Sequence, residues 1–216
     1  MPKTPRFTPK HNEEKQSRNA EVTKANILSA AIEEFAQYGL SGARTENIAK
    51  RSGVTKAMIC YYFKNKKTLY QAVLNQLVLE INESFEAIDI EQQPVEQALE
   101  SIVRSYIKFE SKNRWHGMLW FQEALQNQGR YGEQTGWQEG FQSIVKLLEK
   151  GINEGVFRKV DPFLTAINIL GICSFYFDAH ENLKYLEPDR ELLSSETIEQ
   201  QTDAVLDLLV SGLMAS

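Results

Sequence analysis

The chain has 216 residues, 42% hydrophobic and 25% charged, enough to bury a substantial core as one large or two small domains. Its formal net charge is −5, yet residues 1–70 hold 13 Lys and Arg against 6 Asp and Glu, leaving 11 basic against 23 acidic residues beyond, a basic reader joined to an acidic body. Two cysteines, Cys60 and Cys173, without CxxC spacing or a secretory h-region argue against a disulfide framework and export and point to the cytoplasm, and the longest apolar run, Phe163 to Phe177, is too short to span a membrane.

In chain order, residues 1–20 carry Pro2, Pro5 and Pro9 among basic side chains and are expected to form a flexible basic arm. Such an arm reads as a solvated tail ahead of a minor-groove probe. From about Glu21, the spacing of Leu28, Ala31, Ile32, Phe35 and Tyr38 predicts one face of a helix, and Gly39 is suited to end it. Thr45 offers an N-cap for a second helix that buries Ile48 and Ala49, and Gly53 permits the positive φ of a tight turn. Thr55 caps a third helix in which Val54, Ile59 and Phe63 point inward and Lys56, Ala57, Cys60 and Tyr61 outward. Asn65 caps a fourth helix carried by Leu69, Val73, Leu77 and Ile81, and Pro94 suits the first position of a fifth.

Further helices are expected at about 94–112, 114–127, 135–154, 162–184 and 195–214, with 129–136 and 187–194 as loops. No strand pattern competes. The fold expected is all-α, about nine helices: a three-helix reader over 21–81, with its helix-turn-helix at 44–63, followed by a larger helical body over 82–216.

The stretch Arg44 to Lys66 has the parts that reading double-stranded DNA requires, namely a slender helix, side chains that reach base edges and flanking donors for phosphates. Lys56 suits guanine acceptors, and Ala57 permits close approach to a base or a thymine methyl group. Tyr61, Tyr62, Lys66 and Thr45 suit phosphate oxygens, with Arg44 and Cys60 completing the candidate DNA-contacting set. Cys60 on this face reads as a small neutral side chain ahead of a redox switch.

The pattern A-x-x-x-F-x-x-x-G followed by T-x-x-I-A-x-x-x-G-V-x-K-x-x-x-x-Y-Y-F-x-x-K-x-x-L resembles the N-terminal domain of TetR-family transcriptional regulators. Ala31, Phe35, Gly39, Thr45, Ile48, Ala49, Gly53, Val54, Lys56, Tyr61, Tyr62, Phe63, Lys66 and Leu69 carry the resemblance. It implies a homodimeric repressor on a palindromic operator, released by a small-molecule effector bound in the body. It also marks two departures: Cys60 where the family usually has tyrosine, and the acid Glu46 near phosphates.

In the body, the apolar 162–184 helix and Ile198, Val205, Leu208, Leu209 and Leu213 of the last helix suit a four-helix dimer interface. Trp115, His116, Trp120, Phe121, Phe141, Phe175 and Tyr176 are the candidate effector-pocket residues, with Trp137 adding aromatic surface and Glu123 and Asp178 as further polar anchors. His11, His116 and His180 lie in unrelated contexts, and no nucleophile motif, phosphate loop or metal spacing is present, so neither an enzyme nor a cofactor is expected. The alternative is a constitutive DNA-binding or protein-interaction regulator without an effector.

Overall fold

A computed structural model describes the backbone of residues 9–215 and the side chains of residues 18–215. Among the described residues there are ten α-helices and a single isolated β-bridge, Phe157 to Met214. The chain divides into two compact units whose sequence boundary, between Val73 and Leu74, falls inside the fourth helix.

The first unit begins with α1 (Pro9–Gly42), followed by α2 (Thr45–Ser52), α3 (Lys56–Phe63) and the start of α4 (Lys66–Glu86). The arm expected over 1–20 is therefore corrected in its second part. Residues 9–20 are helical, consistent with Pro9 in the first turn and the good helix formers Glu13, Glu14, Lys15 and Gln16, while residues 1–8 lie outside the described residues. Regular α1 geometry breaks at Gly39, where φ is 63° and ψ −178°. Ile27, Ala31 and Phe35 of α1, Ile48 and Ala49 of α2, Ile59 and Phe63 of α3, and Leu69, Tyr70 and Val73 of α4 are all buried together. The Phe35 ring meets the Tyr70 ring edge-on at 4.9 Å. Each large side chain buried here contributes about 1.5–3 kcal/mol.

The second unit is built around α5 (Val95–Lys112), which packs against α7 (Trp137–Asn153), α8 (Pro162–Asp178) and α10 (Ser195–Leu213). Leu99, Ile102 and Val103 of α5 meet a core that includes Ile144, Leu148, Ile169, Cys173 and Val205. Lys150 closes the α4–α5 connection by donating from Nζ to the carbonyls of Ile90 (2.7 Å) and Glu91 (2.9 Å). Arg104 ties α5 to α10 through Glu199 (2.8 Å) and Asp203 (3.1 Å).

Several element ends differ from expectation. Pro94 is the N-cap of α5, one position before its first helical residue. The expected 114–127 helix is α6 (His116–Gln122) running into a π-helical turn, Glu123–Asn127. The expected 129–136 loop contains a 3₁₀ turn, Gly132–Thr135. The 162–184 helix stops at Asp178, and a four-residue helix, α9 (His180–Leu183), follows; the His180 ring nitrogen Nδ1 lies 2.6 Å from Phe177 O, supplying a side-chain partner to a carbonyl at the end of α8.

Candidate nucleic-acid interface and candidate effector cavity

In the first unit, local chemistry sets α3 as a short, separate rod. Thr55 caps it, its hydroxyl accepting from Met58 N at 3.3 Å. The turn before it is made by Gly53, whose φ of 70° lies in the left-handed region that a Cβ disfavours. At its other end Lys64 adopts φ 62°, ψ −56°, and Asn65 N–H donates to Phe63 O across it at 2.6 Å, a γ-turn of the strained hand. Asn65 then caps α4, accepting from Thr68 N at 3.0 Å.

Burying Ile59 and Phe63 turns Lys56, Ala57, Cys60 and Tyr61 to solvent along one face of α3, as their spacing implies; Tyr61 is 82% exposed. Tyr62 is half-buried, its ring edge-on to Tyr61 at 5.2 Å. Arg44 is exposed at the N-cap of α2, and Thr45 is the first helical residue, which corrects the expectation that Thr45 caps it. The Thr45 hydroxyl instead faces Glu46 Oε2 at 3.4 Å.

Two cations of the candidate set are already engaged. Lys56 Nζ lies 2.5 Å from Glu46 Oε1; this pairing holds the Glu46 carboxyl below its ordinary value and the Lys56 ammonium above its own. Lys66 is half-buried and donates to the carbonyls of Ser41 (3.2 Å) and Ala43 (2.9 Å), so two of its three donors bind the end of α1. Glu34, which no sequence pattern singled out, joins α1 to α2: fully buried, it accepts from Arg44 N (3.0 Å) and Asn47 Nδ2 (2.9 Å) and faces Arg51 (3.5 Å).

The second unit contains a partly open cavity of about 710 Å³, within the range of small-molecule sites. Its wall takes Val78, Ile81, Asn82 and Phe85 from α4, Tyr106 and Glu110 from α5, His116, Gly117, Trp120 and Phe121 from α6, Trp137 and Phe141 from α7, and Leu170, Ser174 and Asp178 from α8. Of the expected pocket residues, His116, Trp120, Phe121 and Phe141 line it, and Trp115, Phe175 and Tyr176 do not. Trp115 precedes α6 with the Arg114 guanidinium 4.9 Å from its ring. Positions 170, 174 and 178 occupy the cavity face of α8, so Phe175 is left 63% exposed and Tyr176 donates its hydroxyl to Leu192 O at 2.5 Å.

A polar chain runs along one wall. Trp120 Nε1–H donates to His116 Nε2 at 2.6 Å, so the imidazole proton resides on Nδ1, which donates to Glu110 Oε1 at 2.8 Å. Burial, reinforced by Glu110, pushes the neighbouring Tyr106 hydroxyl well above its ordinary value. Asp178 is pushed up to about 6, by burial first and then by Glu110. Gly117 makes its placement possible, since a Cβ there would stand 1.7 Å from Asp178 Oδ1. Glu123 lines the cavity yet is tied into the adjoining loop, accepting from Tyr131 N (2.7 Å), Gly132 N (3.2 Å) and Asn127 Nδ2 (2.7 Å). Glu110 and Asn82 escaped the sequence reading. The available signal was an acid on the apolar face of α5 that carries Leu99, Val103 and Tyr106.

An outward-facing helix held behind a tight turn in one unit, and a second helical unit that contains a cavity, define a helix-turn-helix regulator. Residues 27–73 match the family described as bacterial regulatory proteins, tetR family, and residues 94–209 match the tetracyclin repressor-like C-terminal domain. The chain belongs to the TetR family. Over 64 residues it is 47% identical to the HTH-type transcriptional regulator RutR of Escherichia coli (strain K12), a match covering 30% of either chain. Over 173 residues it is 25% identical to the HTH-type transcriptional repressor NicS of Pseudomonas putida, covering 74% of this chain and 78% of that one. A bacterial regulatory protein of the tetR family from Rhodococcus RHA1 shares the fold at a TM-score of 0.71 and 18% identity, covering 90% of this chain and 98% of that one. Among the described residues, no helix is long and apolar enough to cross a membrane.

Proposed function

We propose that the protein is a homodimeric, cytoplasmic transcriptional repressor that reads a palindromic operator through α3 and is released by a small molecule bound in the α4–α8 cavity. The observation that carries the reading is the exposed α3 face, Lys56, Ala57, Cys60 and Tyr61, set on a capped helix behind the Gly53 turn. Lys56 and Ala57 stand at the N-terminal end of α3, the end that meets base edges when such a helix enters the major groove. Arg44, Thr45, Tyr61, Tyr62 and the remaining donor of Lys66 serve the phosphates. The repressor class is supported by NicS, whose name describes it as one.

Dimerisation is supported by an uncovered apolar face. On α8, Leu164, Ile167, Gly171 and Phe175 are exposed, and on α10, Ala204 and Leu208 are exposed, while both helices bury their other faces in the core. A second copy related by a two-fold axis covers such a self-complementary surface.

Release needs no more than an effector that favours a body conformation in which the paired readers are wrongly spaced, with a coupling of about 1–3 kcal/mol. The helix that opens with Lys66 in the first unit carries Val78, Ile81, Asn82 and Phe85 of the cavity wall, so occupancy acts directly on α4.

Selection of bound genomic fragments followed by footprinting tests the reading. The expected result is an inverted repeat protected by the wild type and by Cys60→Ser, with protection lost in Lys56→Ala and weakened in Tyr62→Phe. Enrichment of no common sequence contradicts it.

A further inference from the structure

The cavity wall holds three buried acceptor atoms with no hydrogen-bond partner: Asn82 Oδ1, Glu110 Oε2 and Asp178 Oδ1. The Tyr106 hydroxyl interacts with the Glu110 carboxyl group and that of Ser174 with Asp178, yet neither reaches Glu110 Oε2 or Asp178 Oδ1. Asn82 is fixed by its Nδ2 donating to Gly136 O at 3.1 Å, which leaves its oxygen over Gly140. His116 has no free nitrogen, because Nδ1 serves Glu110 Oε1 and Nε2 receives Trp120. Among the described residues lining the cavity there is no lysine or arginine, whereas Glu110, Glu123, Glu133 and Asp178 all lie on the wall. Glu123 already has its own amide donors, so the unmet demand rests on Glu110 and Asp178. An anionic ligand would add charge of the same sign to a partly desolvated acidic wall, and a purely apolar one would leave three acceptors unpaired. A charge-assisted N–H donor meets both carboxylates, and the aromatic wall residues Trp120 and Phe141 suit its cation and its apolar body.

We infer that the cavity binds an organic amine in its protonated form, an aromatic or alicyclic body carrying an N–H-bearing ammonium group that docks between Glu110 and Asp178. This rests on the reading of the cavity as an effector site and names the class of molecule it takes.

Calorimetry on the full chain with naphthylmethylamine, naphthylmethanol and naphthoate tests it, the three probes sharing one aromatic body. The amine is expected to bind about tenfold or more tighter than the alcohol, with the carboxylate weakest. Glu110→Gln and Asp178→Asn are each expected to weaken the amine about fivefold or more and leave the alcohol within about twofold. Binding of the alcohol or the carboxylate as tightly as the amine overturns the inference, as does binding of none of the three or an amine affinity unmoved by both substitutions. If a variant fails to fold by circular dichroism, the wild-type ranking of the three probes still decides. A parallel operator-binding measurement separates the two readings. Amine binding that leaves operator affinity unchanged removes effector release and keeps the ligand class; release by the carboxylate and not by the amine does the opposite.

Discussion

Lys56 and Glu46 form an ion pair, Nζ to Oε1 at 2.5 Å, across the candidate reading face, with both side chains more than half exposed. The acid that looks misplaced among the proposed phosphate contacts is therefore a partner that occupies the cation proposed to read bases, and an operator bound in that way has to compete for it. Glu46→Gln removes the competitor and a repelling charge. Its operator affinity is expected to rise about three- to tenfold, with a steeper dependence on salt, as a fluorescence-anisotropy titration at several ionic strengths will record. Unchanged or weaker affinity means that the pair orients Lys56 for DNA rather than withholding it.

Lys64 holds the α3–α4 junction at φ 62°, ψ −56°, a conformation that favours glycine. Lys64→Gly is expected to stabilise the protein by about 1 kcal/mol in urea denaturation if the strain is purely local. The loss of one cation near the reader should lower operator affinity slightly in the same variant.

Leu208, 60% exposed, lies on the uncovered α10 face. Leu208→Glu places a charge at the centre of the proposed two-fold contact. Analytical ultracentrifugation is expected to show the wild type as a dimer and the variant shifted toward monomer, with helical content by circular dichroism unchanged. A variant that remains dimeric moves the interface elsewhere.

Asp178 gives stability a definite pH dependence. Its folded carboxyl sits at about 6 against an ordinary 3.8, raised by burial and by Glu110 of α5 and opposed by His116 of α6, Ser174 of α8 and His180 of α9. A carboxyl raised on folding favours the folded state below its ordinary value and loses that contribution as pH rises through about 6. Asp178→Asn is therefore expected to gain stability relative to wild type as pH climbs from about 4 to about 7. The displacement sets a ceiling of about 3 kcal/mol, which the partial exposure of the group reduces to about 1 kcal/mol. Urea midpoints of the two proteins at matched pH values check both sign and window.

What could be read beforehand was local. Thr55 and Asn65 announce the starts of α3 and α4 because capping depends on residues within one turn, and the outward set Lys56, Ala57, Cys60 and Tyr61 follows from helical spacing around Ile59 and Phe63. What could not be read depended on partners far along the chain. Glu34 looks like any charged helix residue until Arg44, Asn47 and Arg51 gather on it, and Lys66 looks free for phosphate until the end of α1 takes two of its donors. The aromatic content of the body pointed to a cavity and to His116, Trp120, Phe121 and Phe141 on its wall, but Trp115, Phe175 and Tyr176 lie outside it. Because α8 is apolar nearly all round, spacing alone could not say that 170, 174 and 178 face inward while Phe175 faces out. Glu110 and Asn82 were missed because a single polar residue on an apolar face reads as noise until its neighbours are known.

The claim that α3 reads DNA is tested most directly by titrating a selected operator duplex with wild type and Lys56→Ala from about 50 to about 200 mM salt. For the wild type, affinity is expected to fall steeply with salt, as release of counterions from several phosphates requires; Lys56→Ala should bind at least about tenfold more weakly, with a shallower slope. Equal affinities for the two proteins, or binding indifferent to salt, would contradict a reading helix at α3.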